Sequence, residues 1–216
     1  MKLKNYKSKN DYIYWIIIVF IAVGAFYPIV GWLALICMLG PVLMAIWKGR
    51  YWCGHYCPRG SFYDNVMSRI SLGKPVPSWL RSRVWRGFML FFIFSMFGIQ
   101  MSWAWGDLAA MGKVFWNIIV LTTVVGIVLA WLYTPRAWCM FCPMGTLSNL
   151  ATRRTKVRRV HVADSCTMKC KNCARVCPMQ LNPYLSKGKE EGFPDADCIK
   201  CGRCSYACPS KAVENR

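Results

Sequence analysis

The chain has 216 residues, 56% of them hydrophobic and only 17% charged, with a formal net charge of +19 and 13 cysteines. So apolar a composition, delivered in blocks, excludes an ordinary soluble domain and implies an integral membrane protein. The positive charge does not imply nucleic acid, because most Lys and Arg residues flank apolar segments, as membrane topology requires.

Residues 1–11 are polar and basic, with Lys2, Lys4, Lys7 and Lys9. The apolar run after them has no small-residue cleavage site, so it is expected to stay as a first membrane helix. Residues 12–47 carry no charge. As one straight helix they would reach roughly 50 Å, against a hydrocarbon core of about 30 Å. They therefore predict two helices in a tight hairpin turning at Gly24-Ala25-Phe26-Tyr27-Pro28. Pro28 opens the second helix and Gly40-Pro41 kinks it. Cys37, alone in this stretch, reads as a packed thiol rather than a ligand.

Directly after this run comes Trp52-Cys53-Gly54-His55-Tyr56-Cys57-Pro58-Arg59-Gly60. Residues 48–86 are basic, with Asp64 the sole acid. A short interfacial helix is expected over 61–70, capped by Ser61 with Asp64 three residues on. A third membrane helix is expected over 87–103, a connection over 104–113 and a fourth helix over 114–133. Then the cysteine stretch recurs as Trp138-Cys139-Met140-Phe141-Cys142-Pro143-Met144-Gly145. Of the 28 Lys and Arg residues, this topology leaves only Lys113 outside. It predicts a multi-pass protein of a bacterial or archaeal cytoplasmic (inner) membrane, with four crossings and both termini cytoplasmic. Trp32, Trp47, Trp52, Trp103, Trp105 and Trp138 fall near predicted helix ends and suit an aromatic belt.

Each half is thus two membrane helices followed by Trp-Cys-x₂₋₃-Cys-Pro-x-Gly. The fold expected is a membrane all-α domain, four transmembrane helices as two pseudo-twofold hairpins, over residues 1–161. Residues 152–161 form a basic juxtamembrane linker, suited to anionic lipid or to an acidic redox partner. Residues 162–216 form a small, cysteine-dense, hydrophilic domain.

That last domain carries the most specific signal. Cys166-x₃-Cys170-x₂-Cys173-x₃-Cys177-Pro178 is followed by Cys198-x₂-Cys201-x₂-Cys204-x₃-Cys208-Pro209. The second run has the bacterial 2[4Fe-4S] ferredoxin spacing, and the first has one extra residue. Three close thiolates wrap one cubane, and the cysteine before proline points to the other. Cluster 1 is therefore assigned Cys166, Cys170, Cys173 and Cys208, and cluster 2 Cys198, Cys201, Cys204 and Cys177. Zinc also takes Cys-x₂-Cys, but two four-cysteine runs ending in Cys-Pro disfavour it.

The two Trp-Cys stretches together supply Cys53, Cys57, Cys139 and Cys142 at the cytoplasmic membrane face. Three readings fit them: a third iron–sulfur cluster, a structural zinc or mononuclear iron site, or redox-active thiol pairs without metal. His55, between two of these cysteines, reads as an interfacial polar group or a donor to a cluster sulfur. Its sharper reading is contact with a quinone or a proton-coupled role. With only His55 and His161, neither in a span, a buried bis-histidine haem is excluded. No nucleotide fingerprint or nucleophile–base set is present, so no catalytic residue is assigned.

These motifs resemble the NapH-type membrane polyferredoxins, and more broadly the modules of NosR-type and CcoG-type proteins. The resemblance covers nearly the whole chain. It implies an iron–sulfur electron-transfer subunit, of the quinol dehydrogenase type, passing electrons between the quinone pool and a redox partner in a membrane respiratory complex. The Cys-x₂-Cys spacing of the second stretch departs from the usual three intervening residues. The other class of function is an assembly or regulatory protein that reduces a metal ion or senses redox state. Nucleic acid is not an expected partner.

Overall fold

The computed structural model of the chain describes residues 12–155 and 160–215. The basic stretch with Lys2, Lys4, Lys7 and Lys9, and the part of the linker with Lys156, Arg158 and Arg159, lie outside the described residues. The structure is mostly helical. Helix α1 covers Tyr14–Phe26; a 3₁₀ segment, Pro28–Leu33, runs directly into α2, Ala34–Lys48; α3 is Tyr51–His55 and α4 Pro58–Asn65. Then come α5, Arg83–Trp103, α6, Leu108–Leu132, and α7, Pro143–Arg154. The C-terminal part holds β1, Val160–Val162, α8, Asn172–Arg175, α9, Arg203–Tyr206, and β2, Val213–Asn215.

Among the described residues, three segments are long and apolar enough to cross a membrane: Pro28–Lys48, Arg83–Trp103 and Leu108–Leu132. Helix α1 is apolar but has 13 residues. At 1.5 Å per residue it is about 20 Å long, short of a hydrocarbon core of about 30 Å. These helices leave large apolar side chains exposed, among them Trp15, Ile16, Leu39, Phe91 and Val124, as lipid-facing surfaces require.

The expected break falls at Tyr27, and Pro28 opens the next segment. Gly24, however, lies inside α1, where a Cβ would overlap the Trp116 ring. The closest backbone approach is between Gly31 and Gly112, each lacking the side chain that would strike the other segment's carbonyl. Pro41 sits inside α2.

Three boundaries differ from the sequence expectation. Helix α4 starts at Pro58, not Ser61: the proline ring pre-sets φ, and Cys57 Sγ caps the turn by accepting the Gly60 N–H at 3.4 Å. Ser61 is buried within it. Helix α5 starts at Arg83, capped by the Ser82 hydroxyl, because Arg86 is drawn inward to a carboxylate rather than left in a loop. Helix α6 starts at Leu108, capped by Asp107, so most of the expected connection is helix.

Strands β1 and β2 pair antiparallel, Val160 opposite Asn215 and Val162 opposite Val213, closing the cysteine-rich part on itself. One core joins the two parts. Tyr63, Trp138, Met140 and Phe141 pack in the same buried cluster as Val160, Met179, Leu181 and Ile199. Trp138 is 2% exposed, so it is a core residue and not a belt residue, whereas Trp47, Trp103 and Trp105 are widely exposed.

Candidate functional site: three cysteine-lined cavities

Each expected set of four cysteines lines one cavity. Cys53, Cys57, Cys139 and Cys142 line the first, with Arg50, Arg59 and Trp138. Cys177, Cys198, Cys201 and Cys204 line the second, with Ile199 and Arg203. Cys166, Cys170, Cys173 and Cys208 line the third, with Lys171 and Tyr184. Cys37, read as a packed thiol, is half-buried and lines the first cavity as a fifth thiol.

The two Trp-Cys stretches differ by one residue, and the backbone absorbs it. In the first, the Cys57 N–H reaches back five residues to the Trp52 carbonyl at 3.0 Å. In the second, a tighter turn, Trp138–Met140, lets the Cys142 N–H reach back four residues to the Trp138 carbonyl at 2.9 Å. Both second cysteines then stand as the N-caps of helices that open on proline.

Two buried arginines lock the stretches together reciprocally. Arg50, three residues before Cys53, donates from Nη2 to the Cys139 carbonyl at 2.7 Å. Arg136, three residues before Cys139, donates from Nη1 to the Cys53 carbonyl at 2.6 Å. Gly60 and Gly145, each three residues after the second cysteine, leave room for the opposite arginine. Arg136 pairs with Asp64, 2.7 Å from Nη2 to Oδ2, and Arg50 with Asp197, 2.7 Å from Nη1 to Oδ1. Asp197 also accepts from Arg86 at 2.6 Å and from Asn149 at 2.6 Å, and Asp64 from Arg203 at 2.9 Å.

This arginine–acid set was absent from the sequence reading. Its signal was present: the repeat is Arg-x-Trp-Cys, two residues longer than the Trp-Cys stretch, and a cation placed identically twice beside thiols is a constraint.

The electrostatics follow from burial. Burial pushes the Cys53 and Cys139 thiols up, Cys139 to about 12, against the pull of Arg50 and Arg136. Burial also works against the carboxylates of Asp64 and Asp197, but their arginine partners outweigh it and hold both below the usual range. In the third cavity the burial effect on Cys208 is overcome by hydrogen bonds from Ser210 and from the backbone N–H groups of Ala212, Ser210 and Val213, and its thiol is lowered.

The ferredoxin runs use backbone in place of arginine. Lys171 and Gly202 take left-handed conformations as the N-caps of α8 and α9, one residue after Cys170 and Cys201. Gln180 and Lys211, three residues after Cys177 and Cys208, are also at positive φ. Such turns direct successive N–H groups inward, a cradle for anionic sulfur. The Leu181 N–H lies 3.4 Å from Cys177 Sγ.

His55 stacks on the Tyr51 ring at 3.7 Å between centroids, and its Nδ1 lies 3.2 Å from the Tyr51 carbonyl. It is held on its own helix.

The donor sets fit iron–sulfur groups. Thiols ring cavities, and among the described residues no three His, Cys, Asp or Glu side chains close on a point as a single-ion site does. In the first cavity the Arg59 guanidinium lies 3.5 Å from Cys142 Sγ. Trp138 Nε1 and Arg50 Nε, on two residues that line this cavity, are buried without a protein acceptor.

The apolar helices and the cysteine cavities define an iron–sulfur, ferredoxin-type protein. A 4Fe-4S binding domain model matches residues 30–86 and 116–160, and a 4Fe-4S dicluster domain model matches residues 165–213. The ferredoxin-type protein NapH of Haemophilus influenzae is 24% identical over 197 residues, 79% of this chain and 63% of that protein. Two uncharacterized proteins of Methanocaldococcus jannaschii are each 22% identical, covering 80% of this chain and 66% and 74% of theirs. The chain thus spans about two thirds of the length of these relatives. No solved structure matches it. Together the matches support iron–sulfur binding and a likeness to the NapH-type polyferredoxins.

Proposed function

We propose that the protein is a membrane electron-transfer subunit carrying three iron–sulfur clusters, and that it links the quinone pool to a redox partner within a larger membrane complex. The observation that carries this reading is the sorting of twelve cysteines, four to each of three cavities. The ligands are Cys166, Cys170, Cys173 and Cys208; Cys198, Cys201, Cys204 and Cys177; and Cys53, Cys57, Cys139 and Cys142. A [4Fe-4S] group bound in such a site supplies a one-electron donor and acceptor at nearly fixed geometry.

The chain's own residues do the rest. Arg50, Arg59 and Arg136 would offset the negative charge of a thiolate-bound group there. The first cavity is also lined by Ile17, Met38, Pro41 and Ile119 from the apolar helices, which supports access for a lipid-borne quinone.

The paired arrangement of the halves belongs to the same proposal. Helix α1 packs on α4 as α5 packs on α7, and α2 on α7 as α6 on α4, and the arginine exchange is reciprocal. In this reading the cavities face the cytoplasm of a bacterial or archaeal cell, and residues 162–216 form the ferredoxin domain. Anaerobic iron and sulfide analysis tests it: about 12 Fe per chain is expected, and about 8 in a Cys53→Ser variant. About 8 Fe in the unmodified protein, unchanged by Cys53→Ser, would sink the third cluster.

A further inference from the structure

The three cavities are not equivalent in their surroundings. The loop from Asp197 to Cys204 is clamped onto the membrane part at two points. Asp197, next to Cys198, is held by Arg50, Arg86 and Asn149, which come from before α3, from α5 and from α7. Arg203, between Cys201 and Cys204, is held by Asp64 on α4. Between the clamps, Gly54 lies so close to the Ile199 carbonyl oxygen that a Cβ would overlap it. Gly54 stands between Cys53 and Cys57, and Ile199 between Cys198 and Cys201, so the backbones of these two cysteine stretches meet here.

The third cavity lies beyond the second. Cys173, on α8, and Cys177 just after it line different cavities, as do Cys204 on α9 and Cys208 after it. Each short helix therefore bridges the two. The third cavity also opens outward. Cys170 is the one exposed cysteine of the thirteen. Lys171 lines this cavity, and the exposed Lys169 and Lys211 stand next to Cys170 and three residues after Cys208; no acid falls between Cys166 and Cys177 or between Cys208 and Ala212, the nearest in sequence being Asp164 and Glu214.

We propose that the face of the Cys166/Cys170/Cys173/Cys208 cavity, with Lys169, Lys171 and Lys211, docks an acidic soluble one-electron carrier protein, while the clamped Cys177/Cys198/Cys201/Cys204 cavity faces the membrane site. The inference rests on the three-cluster reading above. One electron passes between the site behind this face and the carrier; one side is oxidised as the other is reduced, and no bond or proton is exchanged. Three lysines around an open rim meet an acidic surface by long-range attraction, which speeds encounter and is screened by salt. The clamped loop, shut against the membrane part, offers no such approach.

The test uses the whole detergent-solubilised protein with an acidic two-cluster ferredoxin as the probe, and measures binding at low and high salt. A triple Lys169→Glu, Lys171→Glu, Lys211→Glu variant should bind about tenfold or more weakly at low salt, and a Lys74→Glu, Lys189→Glu control should bind as the unmodified protein does. Equal weakening in both, or none in the triple variant, overturns the docking face. Iron content separates the two claims. A count of about 8 Fe in the unmodified protein counts against the three-cluster reading, whereas about 12 Fe with unaltered binding in the triple variant counts against the docking face alone. As a second measurement, reduced samples should show magnetic broadening of the membrane-site signal that is lost in Cys204→Ser and kept in Cys170→Ser. The reverse pattern overturns the order.

Discussion

The first cavity and the third gather the same four thiols in opposite ways. In the first, burial presses the Cys53 and Cys139 thiols upward in pKa, and buried guanidinium groups bond the carbonyls of the same two residues. The third keeps Cys166 and Cys173 buried but leaves Cys170 exposed, and its Cys208 is served by backbone N–H groups and a serine hydroxyl. Burial is the difference that matters. An anionic group in a water-excluded site needs a fixed counter-charge, and that charge needs its own acid to be stable when the site is empty. An exposed site has water to do this work and needs only local donors.

The comparison predicts a graded set of effects. Arg136→Ala leaves the Asp64 carboxylate with one partner fewer and the Cys53 carbonyl unbonded, and should cost about 3–5 kcal/mol, read by thermal unfolding in detergent. Lys171→Ala, on the open rim, should stay within about 0.5 kcal/mol in the same assay. Similar losses in both would break the contrast.

Next in size, Gly145→Ala would set a Cβ 2.5 Å from Arg50 Nη2, whereas Gly60→Ala would set one 3.2 Å from Arg136 Nη1. The first should cost about 1–3 kcal/mol and the second less, with iron content falling in the same order. Mild oxidation with a chelator should then strip about 4 Fe first, from the open cavity, before the buried one loses any. Simultaneous loss would count against the difference in exposure. The smallest effect is Ser210→Ala. It removes the hydroxyl 3.5 Å from Cys208 Sγ, should cost about 0.5–1 kcal/mol, and should shift the potential of the open site alone.

Much of this could be read along the chain. Each cavity is lined by one of the cysteine sets grouped along the chain, and the break at Tyr27 falls in the expected turn; of the four membrane helices expected, three are long and apolar enough to cross among the described residues, and α1 is shorter. Most of what was misjudged depended on neighbours distant in sequence. Gly24 looked like a turn residue until Trp116 was seen to need its space. Trp138 looked like a belt residue until it was found in the core beside Phe141. Ser61 matched a cap, but Cys57 and Pro58 three to four residues earlier had already started the helix.

Ligand spacing is a local property: two or three residues between thiols, and a proline after the last, constrain the backbone wherever the chain goes. Apolar length is likewise additive along a helix. Those facts alone point to an apolar helical part and a cysteine-dense C-terminal part. The reciprocal arginines, the two clamps and the unequal exposure of the cavities belong to the tertiary structure, since Arg50 meets Asp197 across 147 residues and Arg136 meets the Cys53 carbonyl across 83. A lone arginine is an ordinary surface residue in the sequence. Only when folding removes water from around it does its charge demand a partner, and the partner found decides how the two halves are joined.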